Sequence, residues 1–260
     1  MSIPLEEKIK DWLFKGGLPF EMEVANLFLN AGFMVAQSIY YKDPESNKFR
    51  ETDIIAFKSI LVDNIWVNLT FVIECKSSQD KPWILLSNER ISNTVSNKRE
   101  VYHTEGFETI YNKIDRENFK SNLIFKNTSK YGYSLITALN GQAPDKTYEA
   151  VQSVTKSCEY FVKSSNTSSR DICNLYFPVI ITKGDFFIGE MVDKDISIKH
   201  ADSGELLISR SFHFKQNISI RVFTEKNLKN NIECLNKECD DFFKYYKDIL
   251  KERLTGQHYS

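Results

Sequence analysis

Histidine and cysteine are sparse in this chain, and neither is spaced to hold a soft metal. The four histidines, His103, His200, His213 and His258, show no ligand spacing. The five cysteines, Cys75, Cys158, Cys173, Cys234 and Cys239, contain no C-x-x-C pair, which argues against zinc. Their odd number fits reduced thiols, the usual state in a cytoplasmic protein. No apolar run approaches the ~20 residues that span a bilayer, and the residues after Met1 form no apolar signal region. The expectation is a soluble, cytoplasmic chain with no membrane partner. Charge of either sign is also not in excess: 34 Lys and Arg stand against 35 Asp and Glu, a net charge of -1. That excludes a strongly basic coating protein and weakens the case for tight sequence-independent binding by a monomer. It leaves room for a local cationic patch facing phosphates. There is no phosphate-binding P-loop and no Ser-His-Asp or Cys-His arrangement.

What is present is enough apolar side chain to bury a large core in 260 residues. Residues 5–15 carry Leu5, Ile9, Trp12 and Leu13 at helical spacing, and Gly16 and Gly17 stop that helix. Pro19 suits the first turn of a second helix reaching about Ala31, with Phe20, Val24, Leu27, Phe28 and Ala31 on one face and Gly32 at its end. Strands are expected over 33–41 and 49–58, separated by a turn at 43–47. The clearest pattern lies at 66–76. Val67, Leu69, Phe71, Ile73 and Cys75 share one face, while Trp66, Asn68, Thr70, Val72, Glu74 and Lys76 share the other. Residues 77–135 are polar, with helical signals near 84–98 and 105–115, and are expected to form an insertion with helical character. Residues 133–139 suit a short helix or strand. A helix over 145–163 has an apolar side of Tyr148, Val151, Val154, Cys158, Phe161 and Val162. A flexible connector is expected at 164–169, then strands at 175–181, 186–191, 196–200 and 218–224. A last helix over 227–253 repeats Leu228, Ile232, Leu235, Cys239, Phe242, Tyr246 and Ile249 at alternating spacings of four and three. Such a seam packs either on the parent domain, expected over 1–226, or at a dimer interface formed by 227–260.

One constellation carries chemistry. Glu74 and Lys76 are two apart on a strand and so point the same way, at the end of an otherwise apolar element. Asp53 heads the preceding strand, whose following residues Ile54, Ile55, Ala56 and Phe57 read as buried. Two carboxylates converging at strand ends repel each other and resist desolvation. A hard divalent cation relieves both costs, and Mg2+ needs only one or two carboxylates because it keeps several waters. A lysine beside such an ion can orient or help deprotonate water and can steady a phosphoryl transition state. The bland alternative is an exposed strand-end ion pair with Asp53 as a turn acceptor, an arrangement that contributes about 0–1 kcal/mol.

Asp53, followed after a gap by Glu74-Cys75-Lys76, resembles the signature of the PD-(D/E)XK nuclease superfamily, which includes restriction endonucleases and Holliday-junction resolvases. Thr52 stands where that signature has proline. Residues 21–33 also resemble the first core helix of resolvase-type members, in which an early glutamate supports the metal site. By position relative to Gly32 the resemblance points to Glu21. Glu21 and Glu23 flank the apolar face almost symmetrically, so physical reasoning alone leaves both open.

The resemblance implies an α/β fold of restriction-endonuclease-like type, a mixed central sheet flanked by helices. It implies a Mg2+ or Mn2+ cofactor held by Asp53, Glu74 and the backbone carbonyl of Cys75. Lys76 and Glu21 would complete the catalytic set, and Lys81 is a candidate phosphate contact. The implied activity is endonucleolytic cleavage of DNA in restriction, defence or repair, with a homodimer or a partner protein helping to hold the substrate. The alternatives are a branched-DNA resolvase and a non-catalytic nucleic-acid or protein-binding module on the same fold.

Overall fold

The first 77 residues already build three of the eight strands of the main sheet and one of the helices that cover it. The computed structural model describes residues 3–62, 64–78, 81–88, 101–107, 124–125, 130–141, 145–168, 172–208 and 218–256. Helix α1 (Leu5–Lys15) buries none of its residues. Gly17, at φ +82, turns the chain into α2 (Leu18–Asn30), with Pro19 in its first turn. Phe20, Val24, Ala25 and Phe28 form the buried face of α2, and Gly32, at φ +84, ends it. Three antiparallel strands follow: β1 (Met34–Lys42), β2 (Phe49–Val62) and β3 (Ile65–Ser77).

The remainder of the main sheet comes from far along the chain. Strand β3 lies parallel to β8 (Ile172–Lys183), and β8 lies parallel to β12 (Ile218–Thr224). Strand β12 pairs antiparallel with β11 (Ser203–Ile208), which lies parallel to the short β6 (Tyr131–Gly132). The two-residue β5 (Tyr102–His103) adds to β8. A second sheet has the order β10 (Asp195–His200), β9 (Phe186–Val192), β4 (Trp83–Ser87), β7 (Ser134–Thr137). Helix α3 (Lys146–Ser168) precedes β8, and α4 (Leu228–Gly256) follows a 3-10 turn at Glu225–Asn227. The chain is therefore a mixed α/β protein whose mixed central sheet is flanked by helices. No helix among the described residues is long and apolar enough to cross a membrane.

Strand β3 separates two apolar cores. Val67, Leu69, Phe71, Ile73 and Cys75 pack with α2 and with Leu228, Ile232, Leu235, Cys239, Phe242 and Tyr246 of α4. The heptad-like seam of α4 is thus buried against the chain's own sheet, with Leu250 extending it. On the other face Val72 packs with Ala150, Val154 and Cys158 of α3 and with Trp83 and Phe186 of the second sheet. This corrects the amphipathic reading of β3. Its even-numbered face is covered by α3, so Thr70, Val72 and Glu74 are as buried as the apolar face.

Three other expectations change. Residues 84–87, within the helix expected near 84–98, belong instead to strand β4 between β9 and β7, and 131–132 is also a strand; of the two readings for 133–139, the strand holds over 134–137. Of the expected helices in the insertion only 105–107 is helical among the described residues, and 89–100 and 108–123 lie outside them. Of the connector expected at 164–169, residues 164–168 are instead the last turn of α3, and 169 lies outside the described residues. Ser165 Oγ pairs with the Tyr176 hydroxyl at 2.7 Å, and Asn166 accepts from the Glu105 amide at 3.1 Å. These tertiary hydrogen bonds overrule the turn preference of serine and asparagine. Strand β11 was not legible in the sequence.

The Phe71 ring stacks on Phe177 of β8 at 5.2 Å between centroids and meets Phe33 edge-on at 5.7 Å. Phe71 is fully buried. Urea titration of Phe71→Ala is expected to show a loss of about 3–5 kcal/mol in unfolding free energy, the cost of an unfilled aromatic site. Trp66→Ala, on the same strand but half exposed, is expected to cost less than about 1 kcal/mol.

Candidate active site

The backbone ladder between β2 and β3 ends at Ile54 opposite Ile73. On the other side of β2, the register with β1 steps from Gln37–Ile54 to Ile39–Thr52, leaving Ser38 opposite Asp53 in a left-handed conformation, φ 56. The Cys75 amide, which has no ladder partner on β2, donates to Asp53 Oδ2 at 2.7 Å. A side-chain carboxylate thus takes over where the main-chain pairing stops. This fixes Asp53 against the end of β3, next to Glu74 and Lys76.

Glu74 points from β3 toward α3 and is almost fully buried. Its Oε1 accepts from Lys76 Nζ at 2.5 Å, and its Oε2 accepts from Ser153 Oγ of α3 at 2.8 Å. This is no exposed strand-end pair. A buried carboxylate needs these donors, because its desolvation is otherwise uncompensated.

Glu21 enters from the first turn of α2, where the positive end of the helix dipole favours an acid. It is half-buried, while Glu23 faces solvent. Burial raises the pKa of Glu21, and the Glu74 charge raises it further against the opposing Lys76. Asp53 is pushed up to about 7, first by burial and then by Glu74, with Glu21 adding to both. The Cys75 amide and Lys76 oppose the shift without cancelling it. Burial alone would lower the pKa of Lys76, but Glu74, Asp53 and Glu149 together outweigh it and raise it. Glu21, Asp53, Glu74 and Lys76 therefore act on one another electrostatically. Three carboxylates face one ammonium.

Two clefts of about 720 and 700 Å3 open on this cluster and share Lys76 and Glu149. The first also has Tyr41, Arg50, Glu74, Ser153 and Lys156 in its wall. The second has Lys15, Glu21, Asp53, Cys75, Lys81 and Lys146. Lys81 is held by its own turn, since Ser78 Oγ donates to the Lys81 carbonyl at 2.7 Å, and its Nζ reaches Asn140 Oδ1 at 2.9 Å. Lys146 Nζ donates to the Ser77 carbonyl at 3.1 Å. Asp43 belongs to the turn at 43–47, accepting from the Glu45 and Ser46 amides at 2.9 and 3.1 Å.

Glu149 and Ser153 were not singled out by the sequence. Both sit on α3, some seventy residues beyond Glu74, and neither belongs to a motif. The one available signal was their spacing of four, which puts them on the same side of the helix. Tyr148, expected on the apolar side of α3, is exposed instead and lies in the wall of the first cleft.

Among the described residues no group of three or more His, Cys, Asp and Glu side chains is arranged to hold one metal ion. Comparison with protein-family models, with curated proteins and with solved structures finds no match for the chain.

The raised Asp53 carries a consequence for stability. Below about pH 4 the carboxyl is protonated in both folded and unfolded chains and has no effect. Between about pH 4 and 7 the unfolded chain loses this proton first, so the fold is progressively destabilised; above 7 the penalty is complete. Asp53→Asn retains an acceptor for the Cys75 amide. Thermal unfolding in chelator is expected to show Asp53→Asn more stable than wild type at pH 8 by about 1 kcal/mol or more, roughly 2–4 °C. At pH 4 that advantage should be absent.

Proposed function

We propose that the chain is a metal-dependent phosphodiesterase acting on DNA, with the restriction-endonuclease-like core of the PD-(D/E)XK superfamily. The observation that carries this reading is the convergence of Glu21, Asp53, Glu74 and Lys76 at the point where β2 and β3 part. The order of elements supports it: a helix, three antiparallel strands, then a helix leading to a strand parallel with the third. The carboxylate donor set fits a hard cation, because Glu21 and Asp53, crowded against Glu74, have raised affinity for protons and the same reason to take Mg2+ or Mn2+. Asp53, Glu74 and the backbone carbonyl of Cys75 would hold the ion. Once bound, it supplies Lewis acidity toward a phosphodiester oxygen and neutralises developing charge.

The chain's own residues do the rest. With its pKa raised, Lys76 is an ammonium at neutral pH, so it orients the attacking water and steadies the transition state by charge rather than acting as a base. Ser153 keeps Glu74 in place from α3. Lys15, Lys81 and Lys146 give the second cleft a cationic wall for the phosphate backbone. The near-balanced net charge means that this local wall, rather than the whole molecule, must attract the substrate.

A second reading, a non-catalytic binding module on the same fold, draws on the lack of a ready three-ligand group among the described residues. Supercoiled plasmid, linear duplex and four-way junction DNA incubated with Mg2+ or Mn2+ separate the two. The expected result is cutting that stops in chelator and falls at least ~100-fold in both Asp53→Ala and Lys76→Ala. Cutting left intact in either variant would sink the assignment, and retention of DNA without cutting, indifferent to chelator, would favour the binding module. Preferential cutting of the junction marks a branched-DNA resolvase, and equal cutting of plasmid and duplex fits restriction, defence or repair.

A further inference from the structure

Strand β10 is the outermost strand of the second sheet, and among the described residues no strand pairs with its outer edge. It is also apolar where an edge strand is usually guarded. Ile196 is 60% exposed and Ile198 is 48% exposed, with Met191 of β9 exposed beside Ile196. Long exposed edges invite pairing with another chain. The sequence of this one determines which chain and which register.

The hairpin joining β9 to β10 has a two-residue turn, Asp193 and Lys194, closed by Val192 opposite Asp195. In such a hairpin the closing pair exchanges backbone hydrogen bonds, and the direction alternates along the strand. The amides and carbonyls of Asp195, Ser197 and Lys199 therefore face β9. Those of Ile196, Ile198 and His200 face outward. The Ile196 amide, left without a ladder partner, donates instead to Asp195 Oδ1 at 2.8 Å.

A second copy of β10 can pair with this edge antiparallel only in registers that set outward-facing residues opposite one another. One of these is self-complementary. Centred on Ser197, it sets Ile196 opposite Ile198 twice, with their outward amides and carbonyls in hydrogen-bonding register. It also sets Asp195 opposite Lys199 twice, as non-hydrogen-bonded pairs whose side chains are closest. Shifting by two residues in either direction loses both charge pairs. An edge lysine alone would repel another copy; the aspartate at the mirrored position turns that guard into an attraction.

We propose that the chain forms a two-fold dimer by antiparallel pairing of β10 with β10 about Ser197, joining the two four-stranded sheets into one of eight strands. This interface is independent of the nuclease reading. It is also distinct from the α4 seam, which is buried in the chain's own core.

The test is sedimentation velocity of the full chain over a concentration series, with three charge variants. Wild type is expected to dimerise. Lys199→Asp, which sets Asp195 opposite an aspartate, is expected to weaken the dimer by ~10-fold or more, and Asp195→Lys likewise. The double variant D195K/K199D restores opposite charges and is expected to recover the dimer. A second measurement uses the axis itself. Ser197→Cys in a Cys234→Ser background, which removes the exposed native thiol, is expected to form a disulfide-linked dimer on mild oxidation, since the two cysteines face each other. Ile196→Cys in the same background, whose cysteines lie opposite Ile198 rather than each other, is expected to form no disulfide-linked dimer under the same conditions. A wild-type chain monomeric at ~100 μM, a dimer indifferent to Lys199→Asp, or equal cross-linking at positions 196 and 197 would each overturn the proposal.

Discussion

The structure turns on the crowding of acids at the place where β2 and β3 stop pairing. Asp53 takes the Cys75 amide that the ladder leaves open, and this brings its carboxylate against a buried Glu74. Both acids then depend on a single ammonium, Lys76, with Ser153 as the other donor to Glu74. Asp53 is pushed up to about 7 because that compensation is incomplete. A protein that gained nothing from this arrangement would be more stable with a neutral side chain at position 53. Perturbed acids kept in a cleft are the feature on which the proposed cation site rests.

The surrounding fold holds these few groups in place. Strand β3 is covered on both faces, by α2 and α4 on one side and α3 on the other. Its end therefore cannot move without unpacking a core. Helix α2 delivers Glu21 in its first turn, and α3 delivers Ser153 and Glu149 from the opposite face. The second sheet and the turn after β3 set Lys81 near Asn140 at the rim. Acids lie at the centre and Lys15, Lys81 and Lys146 at the edge, an arrangement in keeping with the proposed reading.

Local pattern carried much of this. Glycines at 17 and 32 bounded α2, the alternation of 66–76 gave β3, and the repeat from Leu228 to Tyr246 gave the buried face of α4. Those signals depend on short-range periodicity and on backbone geometry, which sequence records directly. What escaped depends on distant partners. Strand β4 is strand because β9 and β7 lie on either side of it, and the end of α3 is helix because Tyr176 and Glu105 hold it. At the site, Glu74 and Lys76 followed from strand spacing, whereas Glu21 over Glu23 rested on resemblance alone until the packing of α2 gave it a physical reason, Glu21 half-buried and Glu23 exposed. Glu149 and Ser153 became visible only once α3 was laid across β3.

The central claim is that the carboxylates of β2 and β3 form a cation site, and calorimetric titration of the apo protein with Mn2+ tests it most directly. The account predicts one site of micromolar to millimolar affinity, lost in Asp53→Asn and in Glu74→Gln and retained in Glu23→Gln, whose side chain faces solvent. No binding at millimolar Mn2+, or binding indifferent to Asp53→Asn, would contradict it.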